Sequence, residues 1–167
     1  IHSQKPVQAR RNTTKRQAEY MVVRQGPPFQ SLPSGCIVGA MTPAEIVTEF
    51  IRAIERKDVA AAASFVAENI SYENMPMAPI IGREAMMATL EVFLAPAERV
   101  DWQILQQWEV GRVVINERLD RFEIGDGWLE LPLAGVFEIN HDDKISLWRD
   151  YFDMGSYTRQ MATLTGS

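Results

Sequence analysis

Hydrophobic and polar residues follow different periods in the two halves of the chain beyond residue 40. In the first half, apolar residues recur every three or four positions, which is the period of an amphipathic helix. The sequence Thr-Pro-Ala-Glu at 42–45 is a capping box with proline at the first helical position. This pattern predicts helices over about 42–56, 58–67 and 83–94, the last of them ended by Pro96.

The second half contains long β-type segments separated by short polar turns. A shorter strand is predicted at about 70–74 and a short helical stretch at 156–164. The long strands are predicted at Val100–Val110, Arg112–Ile124, Trp128–Ile139 and Lys144–Met154. Helices followed by a run of strands indicate an α+β fold. We expect a strongly curved mixed β-sheet that packs against the N-terminal helices and leaves a cone-shaped pocket.

Residues 1–40 differ from the rest of the chain in charge. They carry six Lys and Arg and one acid, a net charge of +5, so residues 41–167 carry −10 of the chain's total of −5. We interpret 1–40 as a basic leader or N-terminal extension and 41–167 as the functional domain. An acidic domain is a poor candidate for nucleic-acid binding, because phosphate contact needs clustered cations. No apolar run approaches the roughly 18 residues of a membrane span.

Cysteine and histidine are scarce, which narrows the chemistry. Cys36 is the single cysteine, so a disulfide within the chain is excluded and a reducing cytoplasm is favoured. The two histidines are His2, in the leader, and His141, in a predicted turn. A Ser-His-Asp or Cys-His mechanism needs an imidazole beside its nucleophile, and a zinc site usually needs His or Cys ligands. Catalysis in the domain is therefore expected from carboxylates, Arg, Lys or Tyr.

Side chains two positions apart share one face of a strand, and this rule brings several charged residues together. Arg118 and Asp120 lie side by side on one face of their predicted strand. Asp150 lies between Trp148 and Phe152 on a face that is expected to be buried. A buried carboxylate is costly unless it is paired or hydrogen-bonded.

The pattern alone leaves a structural role open for each of these residues. Arg118 and Asp120 are consistent with a surface ion pair that contributes little. Asp150 is consistent with a buried acid satisfied by backbone amides. Tyr72 and Asn74, which share a face of the short strand, are consistent with residues that simply end it.

Three segments together resemble the limonene-1,2-epoxide hydrolase family, of the NTF2-like or SnoaL-like superfamily. They are 71–74 (Ser-Tyr-Glu-Asn), 116–120 (Asn-Glu-Arg-Leu-Asp) and 147–153 (Leu-Trp-Arg-Asp-Tyr-Phe-Asp), and both their order and their spacing match. The resemblance covers roughly residues 42–160. It implies a cone-shaped α+β fold, a homodimer, and catalysis without a metal or organic cofactor.

The resemblance also implies a role for each polar residue. Asp150 would act as the general base that takes a proton from water, and Tyr72 and Asn74 would hold that water. Asp120 would donate a proton to the epoxide oxygen, and Arg118 would bridge both carboxyl groups. Water would then attack directly, giving a vicinal diol without an ester intermediate.

Apolar side chains are expected to line the pocket and to favour a lipophilic epoxide of the cyclic or terpene-like kind. The candidates for this substrate-binding role are Trp148, Phe152, Phe122 and Met75.

Two alternatives remain open at the level of sequence. One is a ketosteroid-isomerase-like or polyketide-cyclase-like enzyme of the same fold, which could use an Asp and a Tyr without an Arg between two acids. The other is a non-catalytic NTF2-like ligand-binding or dimerisation module, because a fold does not determine a function. In such a module the acids would point to solvent.

Overall fold

A computed structural model of the chain describes residues 40–166. The predicted leader, 1–40, lies outside the described residues except for Ala40, so it stays a prediction, as does the cytoplasmic location inferred from Cys36. Within 40–166, no helix is both long enough and apolar enough to cross a membrane.

The first two helices begin where their capping residues predict. Helix α1, Pro43–Glu55, starts at the predicted capping box, in which Thr42 Oγ1 accepts from the Glu45 amide and the Glu45 carboxylate accepts from the Thr42 amide. Its apolar face is buried, and the residues concerned are Ile46, Val47, Phe50, Ile51, Ala53 and Ile54. Helix α2, Val59–Ser64, is capped by Asp58 and is shorter than predicted. It ends at Phe65 because the next residues already pair in a strand. Helix α3 is Arg83–Leu94 and helix α4 is Met154–Thr165.

The strands of residues 40–166 form one sheet in the order β2-β1-β6-β5-β4-β3. Their bounds are Val66–Met75 for β1, Ile80–Ile81 for β2, Arg99–Val110 for β3, Val113–Ile124 for β4, Gly127–Ile139 for β5 and Ile145–Phe152 for β6. Neighbouring strands are antiparallel except β1 and β6, which are parallel, so the predicted mixed α+β sheet is confirmed.

Several boundaries differ from the predicted ones, among them the start of α4, which lies at Met154 and not at 156. Strand β1 starts earlier than predicted because Val66 pairs with Ile145 of β6. Strand β2 was not among the predicted strands, since two residues are too short to show a period. Strand β6 ends at Phe152 because the side chain of Asp153 accepts from the Gly155 amide and so caps α4.

The core lies between one face of the sheet and helices α1 and α3. Phe50 of α1 packs edge-on against Trp148 of β6, with ring centroids 5.0 Å apart, and near Phe137 of β5 at 6.3 Å. Leu90 of α3 is also fully buried. Burial of such side chains contributes roughly 1.5–3 kcal/mol each. We call this side of the sheet the inner face, and the predicted site residues other than Met75 project from it.

Candidate active site

One row of paired residues crosses five strands at the centre of the inner face. Asn74 of β1 is opposite Asp150 of β6, and Asp150 is opposite Gly135 of β5. Gly135 is in turn opposite Asn116 of β4, which is opposite Gln107 of β3. Polar groups far apart in the sequence therefore meet in one line, and the residue at the middle of this line has no side chain.

The side chain of Arg118 reaches into this row and is fully buried. Its Nε and Nη2 donate to the two oxygens of Asp120 at 3.1 and 3.2 Å. Nη2 also donates to Asp150 Oδ2 at 2.9 Å. The guanidinium thus bridges two carboxyl groups, the kind of bidentate, charge-assisted arrangement that fixes geometry most strongly. The pairing of Arg118 with Asp120 that strand alternation predicts is present.

Asn116 is a site residue that the sequence reasoning did not select. It is fully buried, and its Oδ1 accepts from Arg118 Nη1 at 2.9 Å. Its Nδ2 donates to Gln107 Oε1 at 3.2 Å, and Gln107 Nε2 donates to Thr48 Oγ1 and the Ala44 carbonyl of α1. The Arg118 guanidinium is therefore connected, through Asn116 and Gln107, to the first turns of α1. Its shared strand face with Arg118 was the signal in the sequence that could have indicated it.

Burial governs the proton affinity of the two acids. It raises the pKa of Asp120 to about 6, against the opposing effect of the Arg118 charge. Burial also raises the pKa of Asp150, again opposed by Arg118. Two buried carboxyl groups that share one guanidinium favour keeping one proton between them, because the cluster is then electrically neutral. They titrate as a coupled pair.

The remaining ionisable groups of the site stay in their ordinary charge states. Burial raises the pKa of Tyr72 above its usual range, so its hydroxyl is neutral and can donate or accept. Burial disfavours the charge on Arg118, but Asp150 and Asp120 outweigh this effect and raise its pKa. Arg118 is therefore a permanent cation.

A cavity of about 340 Å³ opens onto this cluster, and we call it the inner cavity. Its polar wall consists of Tyr72, Asn74, Asp120 and Asp150, and its apolar wall includes Trp102, Phe122, Leu131, Trp148 and Phe152. The Tyr72 and Trp148 rings stack at 4.3 Å. The arrangement can hold a small apolar molecule against one proton donor and one proton acceptor.

Trp102, in the wall of the inner cavity, is a second site residue that the sequence reasoning did not select. It is opposite Asp120 in the β3–β4 register, and its ring centroid lies 5.2 Å from the Arg118 Cζ. The guanidinium is therefore covered by an aromatic face as well as held by carboxylates.

Among residues 40–166, no group of three or more His, Cys, Asp or Glu side chains is placed to hold a metal ion. The charged residues that line the inner cavity are Asp120 and Asp150, which can exchange protons, and Arg118 bridges them.

The sequence matches one protein family over most of its length. Residues 41–163 match the model of the limonene-1,2-epoxide hydrolase catalytic domain. The chain belongs to this family. The family resemblance based on the three sequence segments is therefore confirmed.

Two epoxide hydrolases of Mycobacterium tuberculosis are similar to this family member, one in sequence and one in fold. Epoxide hydrolase EphG of Mycobacterium tuberculosis strain H37Rv is 31% identical over 108 residues, which is 65% of this chain and 71% of that protein. The structure of a Mycobacterium tuberculosis LEH-like epoxide hydrolase superposes with a TM-score of 0.64 at 25% identity, covering 75% of this chain and 96% of that one.

A more distant likeness concerns the fold alone. A putative SnoaL-like polyketide cyclase from Shewanella denitrificans OS-217 has a TM-score of 0.63 at 13% identity, over 72% of this chain and 97% of that one. The cone-like α+β architecture expected from the sequence is thus also the fold of this more distant solved structure.

Within this epoxide hydrolase domain, the structure brings most of the predicted site residues together. Asp120, Arg118 and Asp150 are joined by hydrogen bonds, and Tyr72 and Asn74 line the same cavity. The predicted apolar residues Trp148, Phe152 and Phe122 line it too.

Met75 is placed elsewhere. It has the opposite parity to Tyr72 and Asn74 on β1 and is opposite Tyr151, so it lies on the other face of the sheet. Met77, two residues further on, contributes to the wall of the inner cavity instead.

Proposed function

We propose that this domain adds water in one step to a lipophilic epoxide, of the cyclic or terpene-like kind, and releases a vicinal diol. The observation that carries the proposal is the guanidinium of Arg118 held between the carboxyls of Asp120 and Asp150 at one wall of an apolar cavity. The family to which the chain belongs supports epoxide hydrolysis as the reaction.

Asp150 is the proposed general base. Its Oδ2 is held by Arg118, and the residue lines the inner cavity, from which a water molecule would approach its carboxyl group. A carboxylate at the cavity wall is suited to accept a proton from that water. Asn74, directly opposite Asp150 in the β1–β6 register, and Tyr72 would orient that water.

Asp120 is the proposed general acid. As water forms its bond to one epoxide carbon, the bond from that carbon to the ring oxygen breaks, and its electron pair goes to the oxygen. Asp120 supplies the proton to this oxygen, and Asp150 takes one from the attacking water. The site then holds a protonated Asp150 and an ionised Asp120, so transfer of one proton resets it. Each proton transfer contributes on the order of 10²–10⁴-fold.

The burial of the acids argues against a non-catalytic module. Such a module would have its acids directed to solvent, whereas Asp120 is 2% exposed and Asp150 is 4% exposed. Burying charged groups costs stability unless they are paired, and buried acids with raised pKa values at a cavity wall are typical of functional sites. An isomerase or cyclase on this fold would not require an arginine between them.

A homodimer is part of the proposal. The outer face of the sheet, opposite the inner cavity, exposes large apolar side chains: Trp108 is 49% exposed and Ile115, its partner across β3 and β4, is 40% exposed. Leu105 is 55% exposed in the same region. Clustered apolar surface of this kind is typical of protein–protein contacts, and a second copy is the partner that the family resemblance implies.

The mechanism is tested by diol formation from limonene oxide and cyclohexene oxide. We expect Asp120→Asn and Asp150→Asn each to lower kcat/KM by at least about 10²-fold while the protein stays folded. Asp101→Asn is the matched control, because Asp101 pairs with Arg121 away from the inner cavity, and it should keep wild-type activity. Substantial turnover by either site variant would contradict the assignment.

The one-step route is tested separately by a single turnover in ¹⁸O-water. The label should appear in the diol and not in the protein. Label in a carboxylate of the enzyme would indicate a covalent ester and overturn direct attack by water.

A further inference from the structure

A second cavity of about 560 Å³ lies next to the inner cavity, between α3, α4 and the sheet, and we call it the outer chamber. Four residues contribute to both, namely Thr89, Phe93, Phe122 and Tyr157. The residues that belong to the outer chamber alone are Ala88, Val92, Pro96, Ile124, Leu129 and Met161. The outer chamber is thus an extension of the site already described.

The outer chamber has no charged residue in its wall. Of its two hydroxyl-bearing residues, Thr89 donates to the Ala85 carbonyl of its own helix, so this hydroxyl is already paired. A polar group placed here would lose water and find at most the Tyr157 hydroxyl as a partner, whereas an alkyl group has no hydrogen bonds to lose. The chemistry of the wall therefore selects apolar ligands.

Aromatic side chains form the wall that the two cavities share. Phe93 of α3 packs edge-on against Phe122 of β4 at 5.0 Å and lies 6.5 Å from Tyr157 of α4. Phe122 also contacts Trp102, which lines the inner cavity beside Asp120. A ligand that reaches from the acids to the outer chamber would pass along a continuous aromatic surface.

The reaction would take place in the inner cavity, and the outer chamber would bind a part of the substrate that does not react. The inner cavity holds the carboxyls and, at about 340 Å³, is near the lower end of the roughly 300–1,000 Å³ usual for ligand sites. An epoxide ring must reach Asp120 and Asp150, so the part of the substrate that extends outward is the part that does not react. Binding energy from such a remote part can raise kcat/KM.

We propose that the outer chamber binds an alkyl tail of the substrate, and hence that the preferred substrates are epoxides carrying a long unbranched hydrocarbon substituent. This inference rests on the proposed epoxide hydrolysis and adds to it a substrate class and a second binding region. Each methylene that enters the chamber should raise kcat/KM by about fourfold until the chamber is filled.

The test uses cyclohexene oxide and its ethyl, butyl, hexyl and octyl derivatives. Ala88→Trp fills the outer chamber from an exposed position of α3, and Val92→Asp places a charge in its wall at a residue that is 76% exposed. Glu91→Trp is the matched control, because it adds the same large side chain at an exposed residue of α3 that lines neither cavity.

We expect the ratio of kcat/KM for the hexyl derivative to that for cyclohexene oxide to fall by at least about tenfold in Ala88→Trp and in Val92→Asp. In Glu91→Trp the ratio should equal that of the wild type. A wild-type enzyme that gains nothing from a longer chain, or an equal ratio in all four proteins, would overturn the proposal.

A binding measurement separates this inference from the proposed function. The affinity of the corresponding diols is measured by calorimetry, which needs no turnover. If no epoxide is hydrolysed, the proposed function fails, but diol affinity that rises with chain length and is lost in Ala88→Trp still supports the outer chamber. Diol affinity that is independent of chain length would refute the outer chamber even if cyclohexene oxide is hydrolysed.

Discussion

Gly135 leaves the space that the side chain of Arg118 occupies. A Cβ at position 135 would overlap Arg118 Nη1, and it would lie 2.7 Å from Asn116 Oδ1 and 2.9 Å from Asp150 Oδ1. All of these groups are buried, so they have little room to move. The bridge between the two acids thus depends on a residue that contributes no side chain.

Replacing Gly135 by alanine should therefore damage catalysis more than folding. Displacement of the guanidinium would misplace both carboxyls, and we expect Gly135→Ala to lower kcat/KM by about 10²-fold or more at a stability cost of about 1–3 kcal/mol. Diol formation and urea unfolding measure the two effects. Gly155→Ala, at an exposed residue whose nearest atoms lie 3.1 Å from the added Cβ, is the control and should stay active. Undiminished activity of Gly135→Ala would show that the bridge tolerates displacement.

Asn116 is predicted to act through Arg118 as a positioning residue. Asn116→Ala removes the acceptor for Nη1, and we expect kcat to fall by about tenfold with little change in KM. A less firmly held guanidinium would stabilise the ionised acids less, so the acidic limb of the pH–rate profile should move to higher pH. Asn116→Thr, which keeps an oxygen acceptor, should restore part of the rate. A lower rate with an unmoved pH profile would indicate a merely structural role.

The raised pKa of Asp120 predicts a pH-dependent cost in stability. Burial raises this pKa from 3.8 to about 6, so the stabilising effect of the bound proton is complete below pH 4 and is lost as the pH rises through 6. Asparagine imitates the protonated acid. We expect Asp120→Asn to match the wild type at pH 4 and to exceed its free energy of unfolding by about 1–3 kcal/mol at pH 8. Urea unfolding at both values measures this, and a difference that shrinks towards pH 8 would contradict it.

The proposed homodimer predicts a response to charge on the outer face of the sheet. Trp108→Glu would place a carboxylate in the apolar surface formed with Ile115 and Leu105, and we expect the protein to become monomeric. Light scattering after size-exclusion chromatography measures the mass. Ile81→Glu, at a β2 residue that is 63% exposed, is the control and should leave the mass unchanged. A wild-type protein that is already monomeric would refute the dimer.

The local sequence alone determined where α1 begins and which strand faces carry the charged site residues. The capping box at Thr42 fixed the start of α1, because a cap involves residues three positions apart. Strand alternation placed Arg118 beside Asp120 and placed Asp150 between two aromatic residues, because the period of a strand is a local property of the backbone. The same rule applied to β1 places Met75 on the face opposite Tyr72, so the prediction that Met75 lines the pocket was wrong on local grounds.

Only the tertiary structure decided how these strands meet. The parallel pairing of β1 with β6 brings Asn74 opposite Asp150, and the order β6-β5-β4 brings Asp150 across Gly135 to Arg118 and Asn116. Strand order and register arise from contacts between segments that are distant in sequence, and such contacts leave no period in any one segment. For the same reason, the outer chamber between α3, α4 and the sheet could not be inferred from any single element.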